Sequence, residues 1–289
     1  MENYIKEKRP NISNSSLKTY NSILTNLYKK VFKKDDIDYN DFSKSGTIIK
    51  YLKDVPPNKR KTILSALVVI TDNKDYRNLM LDDIDEYNKM ENKQTKTDKQ
   101  NENWVNDDDI KEIYAKLDKQ AKILYKKDNK TMSDLQDIQD YIIISLLGGI
   151  YIPPRRSKDF VDFKIRNIDK DKDNYKNKTS LIFNSYKTAK TYGTQTVKIP
   201  IKLNNILNKW ISINDTEWLL FDNNYKQMSN VKLNQRLNKI FDKKAGINQM
   251  RKTYLSEKYN DMIDKKNDLK EDMAMMGSSL IQEKIYIKK

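Results

Sequence analysis

The sequence predicts an α+β protein: an all-helical N-terminal region over residues 1–90, then a mixed region over 104–289 with helices around a small antiparallel sheet. Three observations carry this. Apolar residues recur at three- and four-residue steps through the first ninety positions, with no alternation of period two. Residues 91–103, "ENKQTKTDKQNEN", hold no apolar side chain and read as a solvated linker. Beyond it, β-type runs bunch together before helical spacing returns.

Each element has its own signal. In "NSSLKTYNSILTNLYKKVF", Leu17, Tyr20, Leu24, Leu27, Tyr28 and Val31 share a helix face, and Ser15 or Ser16 is placed to cap its start. "GTIIKYLKDV" is a second helix, stopped by Pro56 and Pro57; "NKRKTILSALVVI" and "LMLDDIDEYNKM" follow. After the linker, "DDDIKEIYAKLDKQAKILYKK" opens with acids that favour a helix N-terminus. "MSDLQDIQDYIIISLLGGIYI" turns fully apolar and predicts a buried helix. "DFVDFKI", "TSLIFNSY" and "TQTVKIPI" are the predicted strands, the last two joined by a turn around Gly193. "NVKLNQRLNKIFDKKAGI", "QMRKTYLSEKYNDMI" and "LKEDMAMMG" return to helix. No internal repeat is visible.

Composition narrows the chemistry. The 289 residues contain no cysteine and no histidine. Disulfides, Cys/His zinc sites and imidazole bases are thereby excluded. No run of about 18 apolar residues predicts a membrane span, and the first twenty residues lack a secretory apolar core. An intracellular protein is expected, in the cytoplasm or nucleus of a host cell or in a nucleoid. The formal charge of +15, from 56 basic and 41 acidic residues, suits a polyanion. The chain is also rich in Lys, Asn, Ile, Asp and Tyr, as AT-rich coding would impose on any protein. Arginine is more telling: of only eight, two stand together at Arg155 and Arg156, and another at Arg251. A guanidinium grips phosphate through a planar fork that lysine lacks.

Four polar clusters occupy the second region: "PPRRSKDF", "SYKTAKTYGTQTVKIP", "NQMRKTYLS" and the terminal "MGSSLIQEKIY". Their order and separations resemble the catalytic domain of the tyrosine recombinase (phage integrase) family, which shares its mechanism with type IB topoisomerases. The family's first box, an arginine followed three residues on by an acid, is matched by Arg156 and Asp159, with Arg155 as the off-register alternative. Its hairpin lysine is matched by Lys187, with Lys190 close behind. Its third box reads His-x-x-Arg followed by His-Thr. Here Asn248 and Lys252 replace both histidines and Arg251 is kept. Its last box, Gly-His or Gly-Trp before a tyrosine, is matched by Gly277, Ser278 and, eight residues later, Tyr286. "SSLKTYNSILTNLY" and "TILSALVVI" resemble the helical domain preceding catalysis in that family, and "PPRR" resembles recombinases of large DNA viruses and virophages.

The resemblance implies a helical DNA-binding (core-binding, SAM-like) domain over 1–90, a linker over 91–103 and a catalytic domain over 104–289. It implies a metal-independent strand transferase without cofactor, acting on double-stranded DNA as a monomer that assembles into a homo-tetramer on paired sites. Tyr286 would attack, forming a 3′-phosphotyrosyl link that conserves bond energy for resealing. Arg156 and Arg251 would stabilise the charge of the phosphorane, and Lys187 would protonate the leaving 5′-oxygen. Ser278, Asn248, Lys252, Lys190 and Arg155 are further candidates for the site. The alternatives are a type IB-like topoisomerase acting without specific sites, and a catalytically weakened DNA-binding protein of the same fold. A lysine-rich protein that meets no DNA is the blandest option.

Overall fold

The computed structural model describes residues 1–277, and the chain divides into two compact units, Met1–Thr97 and Asp98–Lys289. Among the described residues the fold is mostly helical, with one four-stranded sheet confined to the second unit.

The first unit is helical throughout: α1 (Glu2–Lys8), α2 (Asn14–Phe32), a 3₁₀ turn (Tyr39–Ser43), α3 (Ser45–Tyr51), α4 (Pro57–Thr71) and α5 (Lys74–Asn92). The cap of α2 is Ser13, whose hydroxyl accepts from the Ser16 backbone, so the helix begins earlier than its apolar period suggested. Leu24, Tyr28, Phe42, Leu64, Leu67 and Tyr76 meet in a closed core. Two polar links stitch it. Tyr28 donates to the buried Asp41 carboxylate at 2.9 Å, and Tyr76 donates to the Phe42 carbonyl at 2.8 Å. Arg60 grips Asp83 through Nε (2.9 Å) and a terminal nitrogen (2.6 Å), joining α4 to α5. Asp83 is almost fully buried, and that fork supplies the partner such a buried group requires.

In the second unit, α6 (Asp98–Glu102) lies inside the stretch read as linker. Then come α7 (Asp107–Leu124), α8 (Met132–Leu147), α9 (Ser157–Val161), β1 (Phe163–Lys164), β2 (Asn174–Asn177), β3 (Ser180–Phe183), α10 (Ala189–Tyr192) and β4 (Gln195–Lys198). After these the chain continues as α11 (Ile201–Ile213), α12 (Asn230–Phe241), α13 (Ile247–Lys258) and α14 (Met262–Met275). The helix α8 is buried along nearly its whole length, as its apolar run requires. Its Gln139 acts as a strand mimic: its side-chain amide accepts from Phe221 N–H (2.8 Å) and donates to Phe221 C=O (3.0 Å).

The sheet and its flanks depart from expectation in four ways. Its order is β1-β2-β3-β4, with β1 parallel to β2 and the other pairs antiparallel, so it is mixed. β2, "NYKN", has no apolar alternation to reveal it. It is held instead by the buried Asn174, whose amide donates to the carbonyls of Asp159 and Ser185 and accepts from Ser185 N–H. "DFVDFKI" is helix before it is strand, because Phe160 and Val161 bury on α9. The run "IKLNNILNKWISI", counted as strand only at its first residue, is α11; Leu203, Leu207 and Trp210 bury one face after Pro200.

Removing the Asp83 carboxylate leaves Arg60 as a largely buried cation with only the Leu52 and Lys53 carbonyls as partners. Asp83→Ala is expected to cost the first unit about 3–5 kcal/mol in urea unfolding. The double variant Arg60→Ala/Asp83→Ala should cost less than the sum of the singles.

Asp134 supplies a pH prediction. Lys127 (2.6 Å) and then the Thr131 N–H hold its carboxyl down to about 2. Its contribution is therefore present above the unfolded value of about 3.9 and is lost as pH falls towards 2. Unfolding midpoints measured across that window should fall less steeply in Asp134→Asn than in the wild type.

Candidate anion-binding cleft

The chain leaves α8 through Gly148 and Gly149, passes Pro153 and Pro154, and delivers Arg155 and Arg156 at the start of α9. Three aromatic rings form the base beneath them. Phe160, Phe163 and Phe183 lie with centroids 5.7–6.1 Å apart, tying α9, β1 and β3 together.

Arg155 is locked onto this base. Its guanidinium lies 4.0 Å from the Phe183 ring centroid, its Nε donates to Asp159 Oδ2 (2.9 Å), and a terminal nitrogen donates to Gln195 Oε1 (2.8 Å). Gln195 sits directly opposite Phe183 in the β3–β4 register, so one guanidinium seals a cross-strand pair to a helix. Burial pushes the Asp159 carboxyl up from its ordinary range, against the pull of Arg155, Arg156 and Arg251. Its second oxygen, Oδ1, is buried with no hydrogen-bond partner among the described residues.

Arg156 and Arg251 differ from Arg155. Both are half-buried, and neither makes a hydrogen bond or ion pair among the described residues. Arg156 is the residue preceding α9, and Arg251 stands one turn inside α13. That helix is held at its start by Asn234 Oδ1, which accepts from Ile247 N–H (3.0 Å). Further along, Thr253 donates to the Val105 carbonyl (2.6 Å). Arg155, Arg156 and Arg251 thereby line one open cleft of about 370 Å³ with Asp159, Tyr186 and Tyr192. The Tyr186 hydroxyl is spent on the Gly193 carbonyl (2.6 Å), whereas Tyr192 is largely exposed. A concave surface with two uncommitted guanidinium groups can hold an anion with two or more free oxygens, such as a phosphodiester.

The remaining predicted residues disperse. Lys187 lies between β3 and α10, exposed, and it is not part of the cleft wall although its neighbours Tyr186 and Thr188 are. Lys190, on α10, is likewise exposed and outside the wall. Asn248 and Lys252 share a face of α13 but line a different hollow, with Asn234, Lys244 and Gln249. Ser278 and Tyr286 lie outside the described residues. The sequence reading missed Tyr192, Gln195 and Thr188 as cleft residues. Their only signal was membership of the "SYKTAKTYGTQ" cluster, whose lysines drew the attention. Among the described residues no three or more Asp or Glu side chains converge as a metal cage, and no helix is long and apolar enough to cross a membrane.

Gly149 sets the approach of α13 to this segment. Its φ is +79°, and a Cβ there would lie 2.7 Å from the Tyr254 ring, one turn beyond Arg251. Gly149→Ala is expected to destabilise the second unit by at least about 1 kcal/mol.

Among known proteins, no protein-family model matches the chain, and no curated protein matches it.

Proposed function

We propose that the chain is a DNA strand transferase of the tyrosine recombinase type, a site-specific recombinase or integrase that cleaves and rejoins DNA through a 3′-phosphotyrosyl intermediate. One observation carries the reading: Arg156 and Arg251, from two boxes far apart in sequence, meet as uncommitted cations in one cleft. In this reading they clamp the non-bridging oxygens of the scissile phosphate, and Arg155 is a positioning residue that holds Asp159 and the hairpin in place. Lys187 reaches the leaving oxygen only if the loop that carries it turns inward on DNA. Tyr286 is the nucleophile that the resemblance implies, and the first unit is the helical DNA-binding domain that embraces the duplex. Two DNA sites would be paired by a tetramer.

The departures from the family favour one rival. Asn248 and Lys252, which stand where the family has histidines, line another hollow and not the arginine cleft. A catalytically weakened DNA-binding protein of the same fold would look the same. A type IB-like topoisomerase shares the chemistry and would relax supercoiled plasmid as a monomer.

A nicked suicide duplex separates these. Wild type is expected to form a covalent protein–DNA adduct that Tyr286→Phe abolishes and that Arg156→Ala or Arg251→Ala slows at least about 100-fold, the loss typical of a transition-state donor. Tyr192→Phe is the control, since Tyr192 is the exposed phenol on the cleft wall. Loss of the adduct in Tyr192→Phe but not in Tyr286→Phe would reassign the nucleophile. Salt-sensitive DNA binding without any adduct would leave the DNA-binding rival standing.

A further inference from the structure

Just after α6, the chain is fastened more firmly than its polar composition suggests. Asn103 Oδ1 accepts from Lys244 N–H (2.9 Å), and the Trp104 carbonyl accepts from Lys243 Nζ (3.0 Å). The Val105 carbonyl accepts from the Thr253 hydroxyl (2.6 Å). Lys243 also lies 3.6 Å from the Asp109 carboxylate. Residues 103–105 are thus tied, one after another, to α13 or to the turn that leads into it.

The start of α7 turns this attachment into a joint. Asn106 Oδ1 accepts from Asp109 N–H (2.7 Å) and Asp109 Oδ2 accepts from Asn106 N–H (3.2 Å), closing a capping box. Val105, just before the cap, and Ile110, one turn inside the helix, are buried in one core. Their spacing is that of a hydrophobic staple, which fixes the angle at which the chain enters the helix. Ile110 also packs on Gly148, where an added Cβ would lie 3.0 Å from its Cγ2. Gly148 opens the segment that delivers Arg155 and Arg156, and Thr253 stands two residues beyond Arg251. Residues 103–110 therefore touch both arms of the arginine cleft.

We propose that residues 103–110 form a clasp that couples the incoming chain to the anion-binding cleft. In the closed state the Asn103, Trp104 and Val105 bonds are made, and Arg251 is held beside Arg156. In the open state those bonds are lost, and Arg251 is released from its register with Arg156. An anion that spans both guanidinium groups favours the closed state, because only that state presents the two forks together. By linkage, a pull that opens the clasp weakens anion binding by the same factor. The cleft thereby registers how the chain ahead of Asn103 is held. This inference rests on the cleft being an anion site.

Hydrogen–deuterium exchange of the full chain, with and without saturating pyrophosphate, tests the clasp, since exchange reads local opening. Pyrophosphate is expected to slow exchange severalfold both in α13 and across residues 103–110. It should do neither in Arg156→Ala/Arg251→Ala. In Thr253→Val the protection should persist in α13 and vanish across 103–110. Thr253→Ser, which keeps the hydroxyl, should restore it; a role in packing alone would not produce this anion-dependent pattern. If Thr253→Val does not fold, Asn103→Ala/Lys243→Gln removes two more exposed contacts and should give the same loss. Wild-type protection confined to α13, or protection of 103–110 unchanged in the folded variant, overturns the clasp and leaves the cleft reading standing. Absence of protection in α13 as well overturns both.

Discussion

The second unit is organised around one buried carboxylate. Asp159 sits at the start of a helix of five residues, too short to hold its own orientation, and Arg155 supplies the missing constraint. A single guanidinium binds the acid, hydrogen-bonds Gln195 on β4 and stacks on Phe183 of β3. A planar cation can do all three together because its edge donates while its face rests on an aromatic ring. Lysine, a point charge, could not. From that junction follow the seating of α9, the position of the β3–β4 hairpin, and one wall of the cleft.

Adjacent arginines therefore have opposite fates. Arg155 is consumed by structure, and Arg156 is left facing the cleft with its donors unused among the described residues. Arg251 joins it because α13 is fastened at both ends of its first two turns, by Asn234 and by Thr253. The unpaired Asp159 Oδ1 shows that the constellation is not saturated.

Much of the fold was written locally. Leu17, Leu24, Leu27 and Tyr28 marked α2, and the apolar run from Tyr141 to Leu147 marked α8, because burial of one face or of all faces follows from spacing alone. The motifs that carry Arg155, Arg156, Arg251 and "SYKTAK" were legible in the sequence, but that the three arginines share one cleft was implied only by the family resemblance. What spacing could not reveal was the parallel strand β2, whose anchor is an asparagine hydrogen-bonded to residues eleven and fifteen positions away. Nor could it divide the labour between Arg155 and Arg156, or place Lys187 outside the cleft wall and Tyr192 on it. The sequence by itself determined which residue types were available to meet an anion. Only the tertiary structure decided which of them remain free to do so, because a guanidinium's availability depends on the partners that folding brings within hydrogen-bond reach.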